Sequence, residues 1–186
     1  GAGMSLFGSA RITVGPTGSI YGGNEGIKSG VNSTLSNSGN ISGQVGVQFH
    51  PTFGSIANSG AIFGNSVGVF LVGTLVNSGI VQSIGGPAVS MALVGNNITN
   101  TGTIDGNSGI ALSQGTNGFL NTVVNSGSIY GRNQAGILMD VSNDVVINNG
   151  FIQAFNTTRA GGNHPLFDQM LRGFNVPGVG LVDGIT

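Results

Sequence analysis

The sequence predicts an all-β fold: a single-stranded, right-handed parallel β-helix with three faces and about seven coils of about 22 residues, followed by a non-repetitive carboxy-terminal cap. Three observations carry this expectation. A phrase Asn/Pro-Ser/Thr/Asn-Gly-x-Ile/Val recurs with its glycine at Gly18, Gly39, Gly60, Gly79, Gly102, Gly127 and Gly150, at intervals of 21, 21, 19, 23, 25 and 23 residues. Inside each unit, apolar and polar residues alternate with the period of two that strands impose. Charged residues make up only 6% of the 186-residue chain, against about 25% in an ordinary soluble domain, while glycine fills 36 positions.

Each unit divides into three short strands. The first ends at the asparagine of the phrase. Its inward position is aliphatic throughout: Leu35, Ile56, Leu75, Ile98, Val123 and Val146, with Val14 expected there in the opening coil. The second strand follows the glycine and points Ile20, Ile41, Ile62, Val81, Ile104, Ile129 and Ile152 inward. Another glycine two residues on, at Gly22, Gly43, Gly64, Gly106 and Gly131, marks a corner that needs unusual dihedrals or close backbone approach. The third strand points Val47/Phe49, Val69/Leu71, Val89/Met91, Ile110/Leu112 and Ile137/Met139 inward, and Gln48, Phe70, Ser90, Ala111 and Leu138 outward. β-Branched side chains suit such stacked ladders. Stacked at about 4.8 Å per coil, the units make a rod of roughly 30–40 Å.

Between the first two strands lies a structural corner ladder: Asn37, Asn58, Asn77, Asn100, Asn125 and Asn148, each followed by Gly39, Gly60, Gly79, Gly102, Gly127 or Gly150. Asparagine bonds to nearby backbone at turns, and amides stacked in register also bond to one another.

The chain is expected to divide into residues 1–4 (Gly1-Ala2-Gly3-Met4), which look like a cloning remnant ahead of a fragment of a longer protein; 5–155, the β-helix; and 156–186, a cap or continuation. In the last segment, Pro165 precedes apolar residues at Leu166, Phe167, Met170 and Leu171, a spacing that predicts a short helix over 165–172. Such a cap covers an edge that otherwise invites association. Leu6-Phe7 is expected to serve the opposite end. Insertions around Ser113–Leu120 and Asp140–Asp144 emerge at one corner, where solenoids vary their surfaces.

Composition narrows the function. Net charge is −1 and the five basic residues are scattered, so no basic stripe serves nucleic acid. No apolar run approaches the roughly 20 residues of a helical membrane span. Cysteine is absent, which excludes disulfides, thiolate metal sites and thiol nucleophiles.

The phrases Asn37-Ser38-Gly39-Asn40-Ile41 with Gly46-Val47, Asn58-Ser59-Gly60-Ala61-Ile62 with Gly68-Val69, and Asn125-Ser126-Gly127-Ser128-Ile129 with Gly136-Ile137 carry a resemblance. Over residues 10–153 the chain resembles the passenger region of bacterial autotransporters and related haemagglutinin-like surface adhesins. The resemblance implies a β-helix exported to the surface of a Gram-negative bacterium. It also implies membrane attachment only through a carboxy-terminal β-barrel outside these residues. That family includes adhesins, stalks and enzymes.

Catalysis by a β-helix needs converging carboxylates, or a carboxylate–metal cluster with a base. The acids are Glu25, Asp105, Asp140, Asp144, Asp168 and Asp183. Asp105 is outward on the second face, where its equivalents are Gln82 and Tyr130. Asp140 and Asp144 share a loop and read as a solvated turn. His50 and His164 lack metal-ligand spacing and read as surface or turn residues. Arg132 and Asn107 occupy equivalent places and are expected to bond together. The outward column Thr34, Ser55, Thr74, Asn97, Thr122 and Val145 is too mixed for an ice-binding face. The outward aromatic and apolar residues Tyr21, Phe63, Phe70, Tyr130, Leu138 and Phe151 are the candidate partner-binding positions.

The expected function is therefore that of a non-catalytic adhesin or structural stalk, with no metal and no cofactor. Its expected partner is a host-surface protein, a carbohydrate or a second copy. The alternatives are a carbohydrate-active β-helix enzyme and a phage-type host-recognition fibre. Convergent carboxylates would favour the enzyme, and a threefold oligomer the fibre.

Overall fold

The computed structural model describes residues 1–92, 95–112, 120–139 and 144–155, apart from the side chain of Thr52. In chain order the strands are β1 (Met4–Leu6), β2 (Arg11–Val14), β3 (Ser19–Tyr21), β4 (Glu25–Ser29), β5 (Thr34–Asn37), β6 (Asn40–Asn58), β7 (Ala61–Asn77), β8 (Ile80–Ser83) and β9 (Val89–Met91). They continue with β10 (Asn97–Asn100), β11 (Thr103–Gly106), β12 (Ile110–Leu112), β13 (Thr122–Asn125), β14 (Ser128–Gly131), β15 (Ile137–Met139), β16 (Val145–Asn148) and β17 (Phe151–Ala154).

Every pairing is parallel and joins a strand to its equivalent one coil away, which makes the molecule a right-handed parallel β-solenoid of six to seven coils. The first face stacks β2, β5, the end of β6, the end of β7, β10, β13 and β16. The second stacks β3, the starts of β6 and β7, β8, β11, β14 and β17. The third stacks β1, β4, the middles of β6 and β7, β9, β12 and β15. β6 and β7 run round the corners without a break, so they belong to all three faces.

The core is the set of inward aliphatic ladders. Ile41, Ile62, Val81, Ile104 and Ile129 are buried in one column, and Leu35, Ile56, Leu75, Ile98 and Val123 in another. Phe49, Leu71, Met91 and Leu112 fill the third face. Each fully buried side chain of this size contributes roughly 1.5–3 kcal/mol by removal from water.

One inward assignment shifts. The register pairs Ile12, not Val14, with Leu35, and places Val14 opposite Asn37. The cause is a longer first corner. Gly15-Pro16-Thr17-Gly18 closes on a Gly18 N–H to Gly15 carbonyl bond of 2.8 Å, which separates strand and glycine by two residues more than the Asn-Ser-Gly corners do. Val14 thus sits beneath the asparagine column as an apolar end-piece. Leu6 serves the amino-terminal end as a strand residue: β1 pairs with β4 through Met4–Ile27 and Leu6–Ser29, while Phe7 projects into solvent. The predicted cap over 156–186 and helix over 165–172 lie outside the described residues.

The recurring glycines answer to space rather than dihedrals. Among the described glycines, left-handed φ occurs only at Gly73 (127°) and Gly95 (79°). A Cβ at Gly60, by contrast, would collide with the carbonyl oxygen of Gly39 directly beneath it.

Candidate functional site

The first corner is a continuous amide ladder. Each Nδ2 donates to the Oδ1 of the next coil, from Asn37 to Asn58, Asn77, Asn100, Asn125 and Asn148, at 2.7–2.8 Å. The second amide hydrogen is shared between the carbonyl of the glycine two residues on and a carbonyl of the next coil, as in Asn100 to Gly102 (3.2 Å) and Ser128 (3.3 Å). From Asn37 to Asn125 these side chains are buried, Asn148 is half-buried, and all are bonded within the chain, as buried polar groups must be.

A second polar ladder runs along the third corner. Ser33 Oγ accepts from Ala10 N–H (3.2 Å), Asn96 Oδ1 from Gly73 N–H (2.8 Å), Asn121 Oδ1 from Asn96 N–H (3.0 Å) and Asp144 Oδ1 from Asn121 N–H (3.0 Å). Its signal is a hydrogen-bonding side chain just before the first strand of these coils. Asp144 is thereby part of the scaffold rather than a solvated turn. Asp140, Asp168, Asp183 and His164 lie outside the described residues.

The outward surface of the second face is where side chains converge. Register stacks Tyr21, Ser42, Phe63, Gln82, Asp105, Tyr130 and Gln153 in one column. Ile80 and Phe151 stand in the neighbouring column. Near the amino-terminal end, Tyr21 (75% exposed) and Phe63 are separated by Ser42. Near the other end, Tyr130 meets Phe151 at a centroid distance of 5.7 Å and a tilt of 54°, and stacks on Phe155 at 6.2 Å and 23°. These offset and tilted arrangements are the favoured ones for aromatic rings.

Immediately beneath Tyr130 stands Asp105. Arg132 Nε donates to its Oδ1 at 2.8 Å and Nη2 to its Oδ2 at 2.5 Å, a bidentate pair. Gln82 Nε2 adds a bond to Oδ2 at 3.2 Å. The hydrogen bonds that Arg132 donates to Asp105 are the largest influence on its pKa; they outweigh the lowering by burial and, with the smaller effect of the carboxylate charge, push the pKa up. Arg132 does not bond to Asn107 as expected. Asn107 instead donates to the Gly85 carbonyl (2.8 Å) and accepts from Asn133 (2.9 Å), because the guanidinium reaches back across the corner to the carboxylate.

The pair shapes the surface more than it stabilises the fold. The side chains are 35% and 22% exposed, which leaves room for solvent screening. A double-mutant cycle with Asp105→Asn and Arg132→Gln, read by urea unfolding, is expected to give a coupling of no more than about 1 kcal/mol.

The structure therefore divides the six candidate residues. Tyr130 and Phe151 come together, joined by Phe155, which the repeat pattern did not single out. Tyr21 and Phe63 share their column several coils away. Phe70 and Leu138 belong to the third face. Phe70 is half-buried, with His50 stacked on it at 4.8 Å and 17°, while Leu138 is exposed. Among the described residues, no three His, Cys, Asp or Glu side chains gather as a metal site, and Glu25 pairs with Lys28 at 3.1 Å. No protein-family model, curated protein or solved structure matches the chain.

Proposed function

We propose that this chain is a non-catalytic part of an exported bacterial surface protein, an adhesin or stalk whose rod presents its contact surface on the later coils of the second face. The observation that carries the reading is the adjacency of Tyr130, Phe151 and Phe155 to the Gln82–Asp105–Arg132 cluster. Aromatic anchors beside oriented polar groups are the usual composition of an interface hot spot. The sequence resemblance to autotransporter passengers supports surface display. Asp105 is poorly placed for glycosidase chemistry: Arg132 and Gln82 occupy its oxygens, and its register neighbours are Gln82 and Tyr130 rather than a second carboxylate.

The test is saturable binding of fluorescently labelled chain to epithelial cells. The wild type is expected to bind, and a Tyr130→Ala/Phe151→Ala variant to lose at least about tenfold in affinity with an unchanged melting curve. Equal binding by the two proteins, or none by the wild type, removes the reading. Elution as a trimer moves it to the fibre alternative.

A further inference from the structure

We infer that a groove on the third corner of the early coils binds an acidic oligosaccharide, with a sugar carboxylate on Arg11 and a pyranose ring on Phe53. The groove is separate from the Tyr130 surface, lies open to solvent and spans about 510 Å³.

Ser33, Gly54 and Gly73 in its lining belong to the third-corner column. The position before each first-face strand holds Ser33, Gly54, Gly73, Asn96, Asn121 and Asp144 in successive coils. Asn96 and Asn121 point buried amides into the later corner, whereas Gly54 and Gly73 line the groove with backbone. Gly73 adopts φ 127°, a conformation that other residues rarely adopt. One side of the groove is the outward column Arg11, Thr34, Ser55 and Thr74, which presents one polar group per coil. The other side carries Phe53. The corner before Phe53 holds His50, Pro51 and Thr52, three residues that the next coil lacks between Leu71 and Val72. Consequently Phe53 is 57% exposed, whereas its register partner Val72 is fully buried.

The chemistry of the lining selects the ligand. Among the described residues, neither the Arg11 guanidinium nor the Thr34, Ser55 and Thr74 hydroxyls hydrogen-bond to another side chain or carbonyl, so their capacity is open to a ligand. Arg11 offers a planar fork that matches a carboxylate bidentately. The hydroxyls both donate and accept, as a polyol requires. The electron-rich face of Phe53 suits the C–H face of a pyranose. Stacked coils repeat these groups every 4.8 Å or so, which favours an extended chain of sugars over a single compact ion.

The experiment is a titration of the isotope-labelled full chain, followed by amide chemical shifts. The probes are hyaluronan tetrasaccharide, which carries glucuronate, and chitotetraose, its neutral counterpart. Hyaluronan tetrasaccharide is expected to shift amides of residues 9–11, 32–34, 53–55 and 73–74 saturably and to bind at least about tenfold more tightly than chitotetraose. Phe53→Ala is expected to abolish binding of both, and Arg11→Gln to remove only the preference for the acid. Both positions are exposed, so the variants' spectra should retain the wild-type dispersion. Tyr130→Ala is expected to bind the probes as the wild type does. Absence of shifts at those amides, equal affinity for the two probes, or shifts centred on Tyr130 overturns the groove. The last result would leave the second-face contact surface standing, and loss of cell binding by the Tyr130 variant would not touch the groove.

Discussion

Gly102→Ala is expected to cost about 3 kcal/mol or more of stability, at or beyond the upper end of ordinary overpacking. The added Cβ would collide with the Gly79 carbonyl oxygen and lie 2.6 Å from the Ser78 carbonyl carbon. Both are backbone atoms, so no side chain can swing aside. Nor can the peptide retreat: Gly102 N–H bonds to the Asn77 carbonyl at 3.1 Å, and Thr103 N–H to the Gly79 carbonyl at 2.8 Å. Gly102 has no left-handed φ, so the effect isolates steric exclusion from dihedral strain. The same collision recurs between Gly127 and Gly102 and between Gly150 and Gly127, so any widening at one coil propagates along the column. Gly15→Ala is the control. A Cβ there meets nothing within 4 Å, and the change is expected to stay within about 0.5 kcal/mol of wild type or to be slightly stabilising. Urea unfolding followed by far-ultraviolet circular dichroism measures both. Equal stabilities would mean that the glycine column tolerates a side chain and that the stacking argument is wrong.

The solenoid was legible because its constraints repeat. An inward isoleucine, a corner asparagine and a crowded glycine must return once per coil, and they do so in the printed sequence. Deviations arose where a corner changed length. Val14 counts correctly back from Gly18, yet the Gly15–Gly18 turn adds two residues and hands the core position to Ile12. The third-corner ladder was harder to see because glycine replaces the polar residue at Gly54 and Gly73.

The candidate surfaces were less legible, for a physical reason. Register specifies which outward residues share a column, and it placed Asp105 between Gln82 and Tyr130 correctly. It does not specify contacts that cross a corner. Arg132 reaches Asp105 from beyond Gly131, off the column and 27 residues away. His50 covers Phe70 from a corner segment with no counterpart in the next coil. A repeat constrains the inside of the rod strongly and the outside weakly, so outward side chains are free to differ. The functional proposals accordingly rest on the coils that break the pattern.

Asn100→Leu is expected to destabilise the protein by about 2–4 kcal/mol, although leucine matches asparagine in size and the site is buried. Hydrophobicity alone would predict a gain. The ladder reverses the sign because Asn100 is both acceptor and donor within it. Its Oδ1 receives the Asn77 amide at 2.8 Å, and its Nδ2 supplies Asn125 Oδ1 at 2.8 Å and the carbonyls of Gly102 and Ser128. Leucine leaves Asn125 Oδ1 without its amide donor, in a corner closed to water, and removes one acceptor from Asn77. An unsatisfied buried group costs about 1–3 kcal/mol, and the two sides of the break add. Asn148→Leu separates this effect from simple loss of an asparagine. Asn148 accepts from Asn125 at 2.7 Å, but among the described residues its own amide reaches only Gly150. Its replacement breaks the ladder on one side only and is expected to cost about half as much. Chemical unfolding of the two variants beside wild type decides the matter. If Asn100→Leu matches wild type, or costs no more than Asn148→Leu, the amides do not act as a continuous ladder and the corner is held by its glycines alone.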